Sequence, residues 1–583
     1  FWRHQMSPAS VKFIVLGCIV GQLCAPGTQG EDRESLLVQT TQGPVRGFKD
    51  TIHDIFTFYG IPYATAPTGR DRYKAPLPAP TWLTPFDAKD DTIVCPQATI
   101  PLFEIVTKGK HISDDCLIAN VFVPNTKETN IPVVVYVHGG AFQIGHGNFL
   151  QSKNLVEQAK VIVVSFNYRL GIHGFLCLGT EAVPGNAGMK DQVALLRWVK
   201  NNIANFGGNP DDVTIAGFSA GSCSVDLLML SPITNGLFTK VIPESGASLA
   251  ALSVQTDPIE SAKIFARQLN VPNVDDIHSL EEFYRSASFE TITSDSFFTR
   301  KDSTFLFSPC VERETAEEMF LGDSPYNILK TGKYNKVPLL YGFANMEGLL
   351  RIDFFQYWKD GMNEKFSDFL PSDLQFQNDD EKERVAYEIK EFYFGNKKVN
   401  EDSILSYVNY FSDVMFTYPI MKAVELHAKA GHDKVYLYEY SFFDEHTPVV
   451  PHTNVRGANH CAQSAAVLDG VDLLFNSEDS ITNDYRQMKE TMRKIWGNFI
   501  KTGYPIPEGS QLPAWPAANA RGVPHMSLGR PIQLRDDPLL AARMTMWHNV
   551  YEKHYRPPVP PSHFNSNITN GNDNRKESSK GSC

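Results

Sequence analysis

At 583 residues and 42% hydrophobic content, the chain is long enough to bury a large core. Its net charge of −12, with no Lys/Arg stripe, argues against nucleic acid or an anionic membrane surface as a partner. The sixteen histidines are scattered, and neither Cys-x-x-Cys nor His-Glu-x-x-His occurs, so no metal site is expected. Length alone allows about four domains. Because no long Pro/Ser/Gly linker, heptad or repeat interrupts the middle, one large α/β unit over residues 31–555 is expected instead.

From the N-terminus, Met6 is followed by Lys12 and an apolar run over residues 13–25, with small residues before Glu31 and Asp32. This pattern predicts a secretory signal peptide within residues 1–30, too short for a membrane span. An anchored N-terminus is the rival, and residues 1–5 before Met6 read as a leader or an expression scar. Secretion makes the nine cysteines legible. Cys18 and Cys24 fall in the signal, and Cys95 and Cys116 would close a loop of ordinary size in an oxidising compartment. Cys177, Cys223, Cys310 and Cys461 sit in apolar or site-proximal runs and are expected as buried thiols; Cys583 ends a polar tail.

Residues 36–60 alternate polar and apolar positions around Thr41-Gln42-Gly43-Pro44, an antiparallel start. Residues 131–137 and 161–166 are continuous β-branched runs, expected as strands buried on both faces. A helix is predicted over 190–205, with Val193, Leu196, Trp198, Val199 and Ile203 on its apolar side. Further strands are expected at 212–216, 337–341 and 434–439, alternating with helices as in an α/β sheet. Residues 255–330 and 355–430 are charged and mostly helical, and are expected to cap that sheet. From Arg556 the chain turns Pro-rich and then polar, so 556–583 is expected as a disordered tail carrying the Asn567-Ile568-Thr569 glycosylation sequon.

The sharpest local signal is Gly217-Phe218-Ser219-Ala220-Gly221 between a buried strand and an apolar helix. Small flanking residues let the backbone turn tightly and hold a serine hydroxyl above the sheet edge, the elbow of a serine hydrolase. A serine nucleophile needs a base, and the base needs an acid to orient it; on such sheets the chain order is Ser, acid, His. Glu347, beside Gly348 and just after the strand ending near Tyr341, is the candidate acid. After the 434–439 strand come His446, His452 and His460. His460 lies on the small-residue loop Gly457-Ala458-Asn459, with His452 its competitor. The strand 131–137 runs into His138-Gly139-Gly140-Ala141-Phe142, whose amides, with that of Ala220, suit an oxyanion hole. His138 itself is expected to shape this loop and to transfer no proton.

These motifs carry a resemblance. The chain resembles the type-B carboxylesterase and cholinesterase family of α/β-hydrolases from about residue 36 to 555, through Gly60-Ile61-Pro62-Tyr63-Ala64, Asp114-Asp115-Cys116-Leu117, Asn167-Tyr168-Arg169-Leu170-Gly171 and the elbow itself. The signal peptide, the His138–Phe142 motif and residues 183–192 look most like secreted insect, especially moth, carboxylesterases, related to juvenile hormone and antennal esterases. The resemblance implies a large, mostly parallel sheet with flanking helices and helical cap insertions. The separations of 128 positions from Ser219 to Glu347 and 113 from Glu347 to His460 are similar to the family's, and they select His460 over His452. It also implies an oxyanion hole from Gly140, Ala141 and Ala220, a Cys95–Cys116 disulfide, an Arg169–Asp191 ion pair, and Ser245 beside the acid of the triad. Three departures stand out. Phe218 occupies the position where juvenile hormone esterases usually carry Gln, Gln463 replaces the family's acid three positions after the histidine, and no cysteine pair between 250 and 300 provides a second family disulfide.

The resulting expectation is a secreted serine carboxylesterase that needs no cofactor or metal and acts on a small hydrophobic ester. Phe142, Phe218, Phe297, Phe298 and Phe307 are candidate pocket walls, with core packing as the equal alternative for each. The rival readings are a non-catalytic adhesion or binding protein on the same fold, and a slow-turnover ester scavenger. Natural substrate and oligomeric state are not readable from the sequence.

Overall fold

The computed structural model describes residues 33–98, 104–293, 300–470, 481–536 and 539–562. The chain divides into Phe1–Glu34 and Ser35–Cys583, and every element below lies in the second unit. The apolar run at 13–25, Phe297, Phe298, Asn567 and Cys583 lie outside the described residues.

Ser35–Thr40 (β1), Gly43–Lys49 (β2) and Ile55–Pro62 (β3) form the antiparallel start, and β3 pairs antiparallel with Ile118–Pro124 (β4). Beyond it lie Ile131–Val137 (β5), Ile162–Phe166 (β6), Gly208–Phe218 (β7), Lys240–Glu244 (β8), Leu339–Ala344 (β9), Val435–Tyr440 (β10), His525–Leu528 (β11) and Gln533–Arg535 (β12). The strand order is β1-β2-β3-β4-β6-β5-β7-β8-β9-β10-β11-β12, with β6 through β11 mutually parallel. β7 is longer than the 212–216 expected, because its ladder with β5 reaches back to Gly208 through an irregularity before Val213.

The β-branched runs sit in the middle of this sheet because they have no polar side to show water. Val133, Val135 and Val137 face a core shared with Met189, Val193, Val225 and Leu228, from the helices Ala187–Asn202 and Ala220–Leu230. Val134 and Tyr136 face the opposite core with Leu155, Met492, Ile495 and Trp496, from Lys153–Ala159 and Asn483–Thr502. Each fully buried branched or aromatic side chain contributes roughly 1.5–3 kcal/mol, so the period-two alternation fixes the register of the central strands.

The segment 355–430 is helical as expected (Phe355–Glu364, Asp379–Phe394, Ile404–Ser412 and Tyr418–Lys429). Residues 255–330 depart from the mostly helical expectation: they hold Pro258–Gln268, Ile277–Ser286, Phe289–Ile292 and Pro325–Thr331, while the described residues 300–324 form neither helix nor strand. Residues 556–562, at the start of the expected tail, lack regular structure; Arg556 donates its amide to the Asp373 carbonyl at 2.7 Å and Pro561 is buried.

Among the described residues, two disulfides are present. Cys95–Cys116 closes a short loop. Cys177–Cys310 spans 133 positions and corrects the expectation of buried thiols at both residues. Asn186 brings the two segments together, its side chain bonding both the amide and the carbonyl of Cys310 at 2.9 and 2.8 Å. Cys223 and Cys461 remain free.

Candidate active site

Parallel strands deliver their C-terminal ends to one sheet edge, and register aligns those ends. Gly217 pairs with Val137, Phe218 with Glu244, and Glu244 with Gly342. The segments that leave β5, β7, β8, β9 and β10 therefore start side by side, and they carry His138–Phe142, Ser219, Ser245, Glu347 and His460 in turn.

Ser219 stands between β7 and the helix Ala220–Leu230 with φ 55° and ψ −123°, a backbone conformation that L-residues avoid. Crowding at the elbow explains why small residues flank it. A Cβ on Gly221 would lie 2.1 Å from the Val137 carbonyl oxygen, and one on Gly217 would lie 2.4 Å from the Gly221 carbonyl oxygen. Any larger residue would push the elbow away from β5. The Ser219 amide donates to the Glu244 carbonyl at 2.8 Å, which locks the turn to β8.

His460 reaches the elbow because its loop is zipped to the one after β9. Met346 bridges Asn459, the Met346 amide donates to the Ala458 carbonyl at 3.0 Å, and the Ala458 amide donates to Asn345 Oδ1 at 2.9 Å. His460 Nε2 lies 2.9 Å from Ser219 Oγ, and His460 Nδ1 lies 2.5 Å from Glu347 Oε2. A carboxyl oxygen beside Nδ1 favours the proton there, leaving Nε2 as the acceptor for the serine hydroxyl. Glu347 is fully buried, and its Oε1 accepts from Ser245 Oγ at 2.6 Å and from the Ala344 amide at 2.7 Å. Gln463 Nε2 donates in turn to Ser245 Oγ at 2.6 Å, so the family's acid position holds an amide in the same chain of bonds. His446 and His452 are exposed and stand apart from this chain.

The loop after β5 turns through three successive positive-φ residues: Gly140 (111°), Ala141 (59°) and Phe142 (61°). It lies against the elbow, since a Cβ on Gly139 would meet the Phe218 carbonyl oxygen at 2.6 Å. Among the described residues, the amides of Gly140, Ala141 and Ala220 donate to no protein acceptor. Ala220 also opens a helix, whose N-terminal end favours negative charge. His138 stacks on Tyr168 at 4.4 Å between ring centroids and bonds the Gly139 carbonyl through Nδ1 at 2.8 Å; burial holds its pKa down at about 4. It braces the loop as a neutral ring.

Arg169 and Asp191 form a buried ion pair at 2.6 Å, and the guanidinium also donates to the carbonyls of Arg72 and Lys74. Of the candidate pocket walls, Phe142 and Phe307 are core residues packed edge-on to Phe175 and Phe265. Phe218 is 8% exposed and stacks between Tyr136 and Phe149. Two residues at the site had no sequence signal. Phe416 stacks on the His460 imidazole at 4.3 Å between centroids. Glu244, fully buried beneath the elbow and bonded to the Tyr438 hydroxyl, has its carboxyl pushed well above the usual range by burial. Both sit among apolar or strand residues, where a single sequence reads packing. Among the described residues, no group of three His, Cys, Asp or Glu is arranged to hold a metal ion, and no helix is long and apolar enough to cross a membrane.

Esterase FE4 of Myzus persicae is 31% identical over 525 residues, covering 86% of this chain and 89% of that protein. Para-nitrobenzyl esterase of Bacillus subtilis (strain 168) is 32% identical over 510 residues, covering 86% and 96%. The crystal structure of juvenile hormone esterase from Manduca sexta, with OTFP covalently attached, is similar at a TM-score of 0.78 and 28% identity, covering 89% of this chain and all of that one. The carboxylesterase family model matches residues 34–547, and the chain therefore belongs to the carboxylesterase family, as a carboxylic ester hydrolase of α/β-hydrolase fold.

Proposed function

We propose that this protein is a secreted serine esterase that hydrolyses small hydrophobic esters through an acyl-enzyme on Ser219. The observation that carries the reading is the unbroken hydrogen-bonded order Ser219 Oγ, His460 Nε2, His460 Nδ1, Glu347 Oε2. Ser219 Oγ attacks the ester carbonyl carbon while His460 Nε2 takes its proton. Glu347 stabilises the imidazolium. The tetrahedral oxyanion rests on the amides of Gly140, Ala141 and Ala220, each worth about 3–4 kcal/mol in the transition state. His460 then gives its proton to the leaving alkoxide. Water, deprotonated by the same nitrogen, attacks the acyl carbon and releases the acid and Ser219. A covalent adduct in the Manduca sexta relative supports the covalent route.

A hydrophobic substrate is supported by the Phe218–Tyr136–Phe149 stack beside the nucleophile. Phe218 also replaces the Gln usual before the nucleophile in juvenile hormone esterases, which argues against a dedicated hormone esterase. Two disulfides support an oxidising, extracellular setting.

Ser219→Ala tests the mechanism. Turnover of a chromogenic short-chain ester is expected to fall at least about 10⁴-fold with unchanged circular dichroism. Retained turnover in folded Ser219→Ala protein would contradict it.

A further inference from the structure

Between the helices Ile404–Ser412 and Tyr418–Lys429 lies a five-residue π-helical turn, Asp413–Thr417, buried throughout. Such widened turns recur at functional sites. Phe416 of this turn touches one partner of Ser219, and Ser412, the residue just before the turn, holds the neighbour of the other. On one side, Phe416 lays its ring against the His460 imidazole, with centroids 4.3 Å apart and planes 30° apart, and only 1% of Phe416 is exposed. On the other, Ser412 Oγ accepts from the Gly348 amide at 2.8 Å and donates to the Val408 carbonyl at 2.8 Å, which pins the residue after Glu347. The approach needs glycine there, for a Cβ on Gly348 would lie 2.0 Å from the Val408 carbonyl oxygen. The turn is itself anchored. Buried Asp413 pairs with Arg543 of the C-terminal helix Ala541–His554 and bonds the Tyr393 hydroxyl, which accepts from Trp547 Nε1 at 2.8 Å.

We propose that Phe416, held by this anchored turn, is a positioning residue for the base, and that its contribution is greatest in deacylation. The inference rests on the Ser219–His460–Glu347 reading above. In the free enzyme the imidazole is fixed by two hydrogen bonds, to Ser219 and to Glu347. Once Ser219 carries the acyl group its Oγ has no proton to donate, and the Nε2 bond is gone. The Glu347 bond and the Phe416 face then hold the ring in the orientation from which Nε2 takes a proton from water. A misplacement of about 1 Å is enough to slow such a step by up to about 100-fold.

The test measures kcat per active site, with sites counted by organophosphate titration, on an activated ester whose deacylation is rate-limiting. Phe416→Leu and Phe416→Met remove the flat face while nearly conserving volume, so failure of one to fold leaves the other. The expected result is a fall in kcat per titrated site of about tenfold, a parallel fall in KM, and kcat/KM changed less than about threefold. Phe416→Tyr, which keeps a flat ring, is expected to recover kcat. A purely structural role would lower the number of titrated sites and leave kcat per site unchanged, and a substrate contact would raise KM; either result overturns the proposal. Absence of titratable sites in the wild-type enzyme would instead overturn the triad reading on which it stands.

Discussion

Ser219 sits where alanine and glycine exchange their usual ranking. Its φ of 55° with ψ of −123° lies in a region essentially reserved for glycine, costing a side-chain-bearing residue about 1–3 kcal/mol. Gly217 and Gly221 hold it there by close contact. Ser219→Gly is therefore expected to be more stable than Ser219→Ala by about 1 kcal/mol in denaturant unfolding, with both inactive. The reverse order would mean that the elbow relaxes when the hydroxyl is removed. At this scale much of the site was legible, because Ser219, Glu347 and His460 follow a fixed chain order and each follows a strand. Gln463 was visible only as a departure, since no sequence shows that its amide reaches Ser245. Phe416 was invisible, an aromatic within a helical stretch whose widened turn leaves no mark in the residues themselves.

Secondary-structure elements are tied to the site by long-range clamps, and these divide by how local their chemistry is. The Arg169–Asp191 pair was implied by the family resemblance and is buried. Asp191→Ala leaves the guanidinium buried without its partner and is expected to cost about 3–5 kcal/mol, read by thermal unfolding. A loss under about 1 kcal/mol would mean that the three backbone carbonyls on Arg169 suffice. The Cys177–Cys310 bridge was missed because pairing across 133 positions is a property of topology, and apolar neighbours suit a thiol and a buried disulfide equally. Replacing both cysteines by alanine is expected to lower stability by roughly 2–5 kcal/mol. An unchanged melting temperature would show that the bridge is not closed in the protein. The strands expected from β-branched runs lie within a few residues of their places, whereas β4, β8, β11 and β12 were not foreseen. The irregular stretch 300–324 was not legible either, because it follows no local periodicity.

For the molecule as a whole, stability should depend on pH through carboxyls that folding buries. Asp373 is buried against Tyr551 of the C-terminal helix, and burial pushes its pKa up to about 7 from an ordinary 3.8. A carboxyl with a raised folded pKa binds its proton more tightly in the native state, so its contribution is complete below about pH 4 and is lost as pH rises through about 7. Over that window the loss is on the order of 4 kcal/mol. Asp373→Asn is expected to flatten the decline in melting temperature between pH 4 and 7, and an unaltered slope would place the titration elsewhere. The parallel sheet and its flanking helices were foreseeable from alternating strand and helix patterns, whereas the burial of Asp373 depends on where the C-terminal helix docks. The account as a whole stands on Ser219 being an assembled nucleophile. The most direct measurement is pre-steady-state hydrolysis of a chromogenic ester by purified protein, with and without an organophosphate. A burst of one equivalent followed by steady turnover, both lost when the label is found on Ser219, is the predicted result. Folded protein that gives neither burst nor label would contradict the mechanism and favour an ester-binding protein on the same fold.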